Sequence, residues 1–93
     1  MRKIERTTCF RRDYRRELRG QYAQILSTNF THVLKLLLSD KPLEERHRDH
    51  ALTGNWEDHR DCHMRPDLIL IYRKPDDETL QLVRLGSHSE LGL

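Results

Sequence analysis

Apolar positions recur every three or four residues in the first half of the chain and every second residue, or without a break, in the second half. Phe10, Tyr14 and Leu18 fall at i, i+4 and i+8, which predicts an amphipathic helix with arginines on its flanks. Thr7 or Thr8 can cap its start, and Gly20 is a plausible stop. Leu26, Phe30, Val33, Leu34, Leu37 and Leu38 predict a second helix. Ser39-Asp40-Lys41-Pro42 closes it, because proline disfavours helical geometry in the residue before it. Residues 2–8 alternate loosely and predict a first strand, whereas residues 43–55 read as a long loop ending at Thr53-Gly54-Asn55. From Trp56 the period is two. Residues 56–64 predict a strand, Met64-Arg65-Pro66-Asp67 a turn, Leu68 to Arg73 a central strand, Lys74 to Glu78 a second turn, and Thr79 to Leu85 a last strand.

The order is β-α-α-β-β-β. A mainly antiparallel meander with two N-terminal helices packed on one face makes a small α+β domain. The sequence has 93 residues with no internal repeat or linker, so 1–93 reads as one domain with one modest core.

Charge sharpens this picture. Formal net charge is only +2, but residues 1–20 carry eight Lys/Arg against three acidic residues, while the remaining 73 carry nine basic and twelve acidic. Arg11, Arg12, Arg15 and Arg16 on the first helix therefore suit a polyanion such as RNA, against the plainer reading of a solvated face. Met1-Arg2-Lys3 is followed by Ile4-Glu5-Arg6 rather than an apolar core, which predicts no secretory leader. The longest apolar stretch, Val33 to Leu38, falls far short of the ~20 residues that span a bilayer, so no membrane partner is expected. Cys9 and Cys62 make no disulfide framework and read as small core hydrophobes in a reducing cytoplasm.

Candidate chemistry lies in the polar second half: Asp49-His50, then Asp58-His59-Arg60-Asp61-Cys62-His63, then Asp67, and His88 near the C-terminus. Imidazole gives and takes a proton near neutral pH. Strand alternation places His59, Asp61 and His63 on the open face, with Cys62 and Met64 toward the helices. Asp67 follows just across the turn, and Arg84 sits on the last strand. Such a set can cleave RNA without metal. A base takes the ribose 2′-proton, a cation stabilises the phosphorane, and an acid protonates the leaving 5′-oxygen. Zinc through His59-x-x-Cys62-His63 competes, but alternation turns Cys62 away from both histidines, and zinc needs convergent ligands. His32 reads as structural, His47 and His59 as surface residues, and Trp56, Leu68 and Tyr72 as core.

Three blocks carry a resemblance. Asp49-His50-x-Leu52-x-Gly54-x-Trp56, then Arg60-Asp61-x-His63-x-x-Pro66-Asp67-x-Ile69-Leu70-Ile71-Tyr72, then Arg84-x-Gly86-Ser87-His88-Ser89-Glu90-Leu91 resemble the YafQ branch of the RelE toxin superfamily. The match is close over residues 42–91, and the element order suits the whole chain. The resemblance implies a ribosome-dependent endoribonuclease of a type II toxin–antitoxin module, cutting mRNA in the A site and arresting translation. It also implies a small antitoxin partner and no cofactor. His50, Asp61, His63, Asp67 and His88 then become the catalytic set. His88 is the general acid, the base lies among His50, His63 and Asp67, Arg84 stabilises phosphate, and the basic first helix binds ribosomal RNA. Two alternatives remain: a gyrase-poisoning toxin of the same superfamily, a type that generally lacks this histidine set, or a plain RNA- or ribosome-binding module whose histidines are incidental. One departure stands out. The family commonly ends Leu-Phe-Gly, but this tail reads Leu91-Gly92-Leu93, with Gly92 where the aromatic is expected.

Overall fold

The computed structural model describes all residues, 1–93. The elements are β1 (Lys3–Arg6), α1 (Thr8–Leu18), α2 (Ala23–Ser27), α3 (Asn29–Leu38), β2 (His50–Ala51), β3 (Arg60–Arg65), β4 (Leu68–Arg73), β5 (Thr79–Gly86) and α4 (His88–Leu91). Five strands form one sheet in the order β1-β5-β4-β3-β2. β1 pairs parallel with β5, and every other pairing is antiparallel. No helix is long and apolar enough to cross a membrane.

Helices α1 to α3 cover one face of the sheet. The Thr7 hydroxyl caps α1 by accepting from the Phe10 N–H at 3.0 Å. Phe10 stacks on Phe30 of α3 at 6.1 Å between ring centroids, and both join Leu70, Tyr72, Leu80 and Leu82 in the main core. Strand β4 is buried on both faces, because Ile69 and Ile71 lie on its other side in a smaller cluster with Leu91. The open face of the sheet is therefore only partly covered, by α4 and by the segment that holds Leu52 and Trp56.

Several expectations are corrected here. The single second helix breaks at Thr28, whose backbone (φ −121°, ψ −80°) separates α2 from α3. Strand β3 begins at Arg60 rather than Trp56. Gly54–Trp56 is a short 3-10 turn, and Asp58 takes a left-handed φ of 67°, so the chain turns before it can pair. The loop between the helices and β3 contains a further short turn, Glu45–His47, and the edge strand β2. Cys9 is exposed, whereas Cys62 is buried as expected.

The end of β5 runs past the end of β1 and would expose a free edge. Side chains at the start of the chain cover it. Thr7 Oγ1 donates to the Val83 carbonyl at 2.7 Å, Asp13 accepts from the Leu85 N–H at 3.1 Å, and Arg16 Nη2 donates to the Leu85 carbonyl at 2.9 Å. A Cβ at Gly86 would stand 2.9 Å from Arg16 Nη2 and 3.0 Å from Glu90 Oε1, so a side chain there would push the Arg16 and Glu90 head groups aside.

Candidate active site

Residues that face each other across antiparallel strands share a face of the sheet. One row runs His50, Asp61, Ile71, Arg84 over β2 to β5, and the next runs His63, Ile69, Gly86. The pairing thus sets His50, Asp61 and His63 side by side on the open face. His88 arrives from the first turn of α4, at the end of β5. The ring centroids of His50 and His63 lie 6.3 Å apart and those of His63 and His88 5.5 Å apart, so His63 neighbours both of the other imidazoles.

Local structure fixes each ring. Asp49 turns to the helix side, where Tyr72 Oη donates to it at 2.6 Å and Arg60 Nε at 3.2 Å. That anchor holds β2 and leaves His50 on the opposite face. Arg48 adopts a left-handed backbone (φ 46°, ψ 44°), and its carbonyl lies 2.7 Å from His50 Nδ1. A carbonyl only accepts, so Nδ1 carries a proton, and in the neutral ring Nε2 keeps its lone pair. His63 is held from behind by His47, whose Nδ1 donates to the His63 carbonyl at 2.7 Å. Ser87 and Glu90 form a capping box at the start of α4. It orients His88 so that Asp67 Oδ1 meets both its Nδ1, at 2.7 Å, and its backbone N–H, at 2.9 Å.

The electrostatics divide the carboxylates. Asp61 is buried beneath the row; its Oδ1 lies 3.1 Å from His50 Nδ1 and 3.8 Å from His63 Nε2 but has no aligned hydrogen bond. Burial raises its pKa, against the opposing pull of the three histidines. His63 is lowered, first by burial and against the Asp61 charge, which keeps it neutral at neutral pH. Asp67 is lowered by the two hydrogen bonds from His88 and stays ionised.

The five residues expected to be catalytic, His50, Asp61, His63, Asp67 and His88, therefore come together. His59 does not join them. It precedes β3, with its Nδ1 on the Glu57 carbonyl at 3.0 Å and its ring against Trp56, which is half-buried. Cys62 lies in the core on the far face. Arg84 shares the His50 row, but its Nε and Nη2 bind the buried Asp13 at 2.7 and 3.3 Å. On α1, Arg11, Arg12 and Arg15 are exposed, whereas Arg16 is engaged by Asp13, Glu17 and Glu90 and by the Leu85 carbonyl. Arg16 is accordingly a clamp on β5 rather than a free cation. His47, read as a surface residue, is buried. The only sequence signal for it is its place three residues before His50.

Comparison with known proteins agrees with this geometry. Residues 2–92 match the family described as the bacterial toxin of type II toxin–antitoxin systems, YafQ. The chain belongs to the YafQ toxin family. Within it, the mRNA interferase toxin YafQ of Escherichia coli K12 is 41% identical over 61 residues, 64% of this chain and 65% of that one. A copper-bound mutant toxin from Helicobacter pylori superposes with a TM-score of 0.83 at 38% identity, covering 98% of this chain and 99% of that one. The E. coli DinJ–YafQ complex gives 0.81 at 32% identity, covering 98% of each chain. The α+β fold is that of the solved YafQ structures.

Proposed function

We propose that this YafQ-family toxin is an endoribonuclease that cuts mRNA by metal-independent acid–base chemistry in the ribosomal A site and so arrests translation. The observation that carries the reading is the cluster of three imidazoles, with His63 next to both others, backed by two carboxylates. In-line displacement at phosphorus sets the attacking 2′-oxygen and the departing 5′-oxygen on opposite sides, so the two neighbours of His63, His50 and His88, take the two proton transfers. His50 Nε2, free of a proton, removes the 2′-hydrogen. The imidazolium that forms finds a counter-charge in Asp61, whose buried Oδ1 lacks a partner until then. His88, its Nδ1 proton held by Asp67, donates from Nε2 to the leaving oxygen. His63 stands between them and offers an uncharged N–H to a phosphoryl oxygen.

Arg84 adds positive charge at the far end of the His50 row. A guanidinium has five N–H donors, and Asp13 uses only part of them. The buried carboxylate fixes the fork and leaves the remaining donors for phosphate. Arg11, Arg12 and Arg15 present an exposed basic face suited to ribosomal RNA. The E. coli DinJ–YafQ complexes supply the precedent for a cognate antitoxin partner, and a cytoplasmic location follows from a ribosomal target.

The direct test is a synthetic mRNA with one ribose replaced by deoxyribose on the 5′ side of a mapped cut. Loss of that cut, with neighbouring cuts kept, supports attack by the 2′-oxygen. Continued cleavage there contradicts it.

A further inference from the structure

Beside the imidazole cluster lies a cavity of about 400 Å³, with His63 and His88 in its wall and His50 outside it. Arg46, Arg48 and Arg65 line it, together with Asn29, and no acidic residue does. Arg46 is shared with exposed Glu44 at 3.1 Å, but the guanidiniums of Arg48 and Arg65 make no ion pair or hydrogen bond within the chain. Two separate backbone irregularities bring these arginines there. Arg48 holds a left-handed φ of 46°, a conformation that is uncommon for a residue with a Cβ. Arg65 follows a register shift in β3 between His63 and Arg65, a bulge of the kind that re-aims side chains beside active sites.

We propose that this cavity is an anionic subsite in which Arg48 and Arg65 hold the first phosphate on the 3′ side of the bond that is cut. The assignment rests on the endoribonuclease reading, because one strand must pass both places. It also gives the strand a direction. His88 protonates the departing 5′-oxygen, which belongs to the downstream nucleotide. The cavity wall takes in His63 and His88 but not His50, so the downstream nucleotide and its own 3′-phosphate enter it. His50, outside the cavity, meets the upstream ribose. Guanidinium forks suit this task because they bind phosphate oxygens two at a time.

The test uses ribosomes programmed with an mRNA made uncleavable by deoxyribose at the cut site, in which single phosphates are replaced in turn by neutral methylphosphonate. Neutralising the first 3′-phosphate is expected to weaken wild-type binding about tenfold. The double variant Arg48→Gly, Arg65→Gln should bind the unmodified mRNA about tenfold more weakly and should no longer respond to that methylphosphonate. Glycine at 48 keeps the left-handed turn that aims the carbonyl at His50, and thermal melting confirms the fold. Binding to ribosomes without mRNA should be the same for both proteins. Equal sensitivity of the two proteins to the methylphosphonate overturns the subsite. So does a loss confined to empty ribosomes, which would move the arginines onto ribosomal RNA. Cleavage is not read in this assay. A protein that binds as described but never cuts keeps the subsite and loses the nuclease, and an active nuclease indifferent to both arginines does the reverse.

Discussion

Asp67 Oδ1 accepts from both the Nδ1 and the backbone N–H of His88, at 2.7 and 2.9 Å. One carboxylate therefore fixes where the last imidazole sits and which nitrogen faces the substrate. Asp67→Asn keeps the size and loses the charge. Single-turnover cleavage should fall by about 10²–10⁴. A rate equal to that of the wild type would remove Asp67 from the proton transfer.

Buried Asp61 carries a cost in stability. Burial raises its pKa above 3.8, so its ionised form opposes folding. Asp61→Asn should melt at or above the wild-type temperature at neutral pH while losing most activity. A gain of about 1 kcal/mol would read as about 4–8 °C in a domain of this size. The advantage should fade as pH falls through the raised Asp61 pKa toward 3.8, where the wild-type group is neutral too. His63 has the opposite sign. Its pKa is lowered below 6.5, so the unfolded chain takes up the proton first, and wild type should lose stability relative to His63→Gln as pH drops through that value. Melting curves across pH check both.

The Arg84–Asp13 pair joins β5 to α1, and Asp13 is fully buried. Removing Arg84 leaves the buried Asp13 charge held only by Arg16 and the Leu85 N–H, so Arg84→Ala should cost about 1–3 kcal/mol in denaturant unfolding. Arg84→Lys should recover part of that stability but not the cleavage rate, because a point charge does not reproduce the planar fork. Equal rates for wild type and the lysine variant would remove Arg84 from phosphate stabilisation.

Arg11, Arg12 and Arg15 form the exposed face of α1. Changing all three to Gln should weaken ribosome binding and flatten its dependence on log[salt], by about one in slope for each phosphate no longer neutralised. The single-turnover rate of the bound complex should not change. Arg16→Gln should instead lower the melting temperature, since that residue clamps the Leu85 carbonyl.

The major elements were legible because their signals are local. The 3.6-residue spacing of Phe10 and Tyr14 and the unbroken run Leu68 to Tyr72 each report burial directly. The meeting of His50, His63 and His88 was legible through the spacing of three blocks. The rest depends on tertiary contacts that spacing does not encode. Strand β2 is two residues long and exists because Asp49 is tied to Tyr72 and Arg60. The break at Thr28 interrupts a pattern whose apolar period runs straight through it. Arg16 resembles its exposed neighbours in sequence and differs only because the end of β5 lies beside it. Helix α4 went unpredicted, although Ser87-His88-Ser89-Glu90 has the spacing of a capping box. At the tail, Gly92 takes a left-handed φ of 71° that closes α4, so the position where the family carries an aromatic serves here as a helix stop.

The most direct test of the central claim is a map of transcript 5′ ends in cells after brief induction of the wild type or of His88→Ala. Wild type should produce new ends in register with reading frames, and His88→Ala should produce almost none while still binding ribosomes. In-frame ends that persist in His88→Ala, or growth arrest by the wild type with no new ends, would contradict proton transfer by His88 at a ribose-linked phosphodiester.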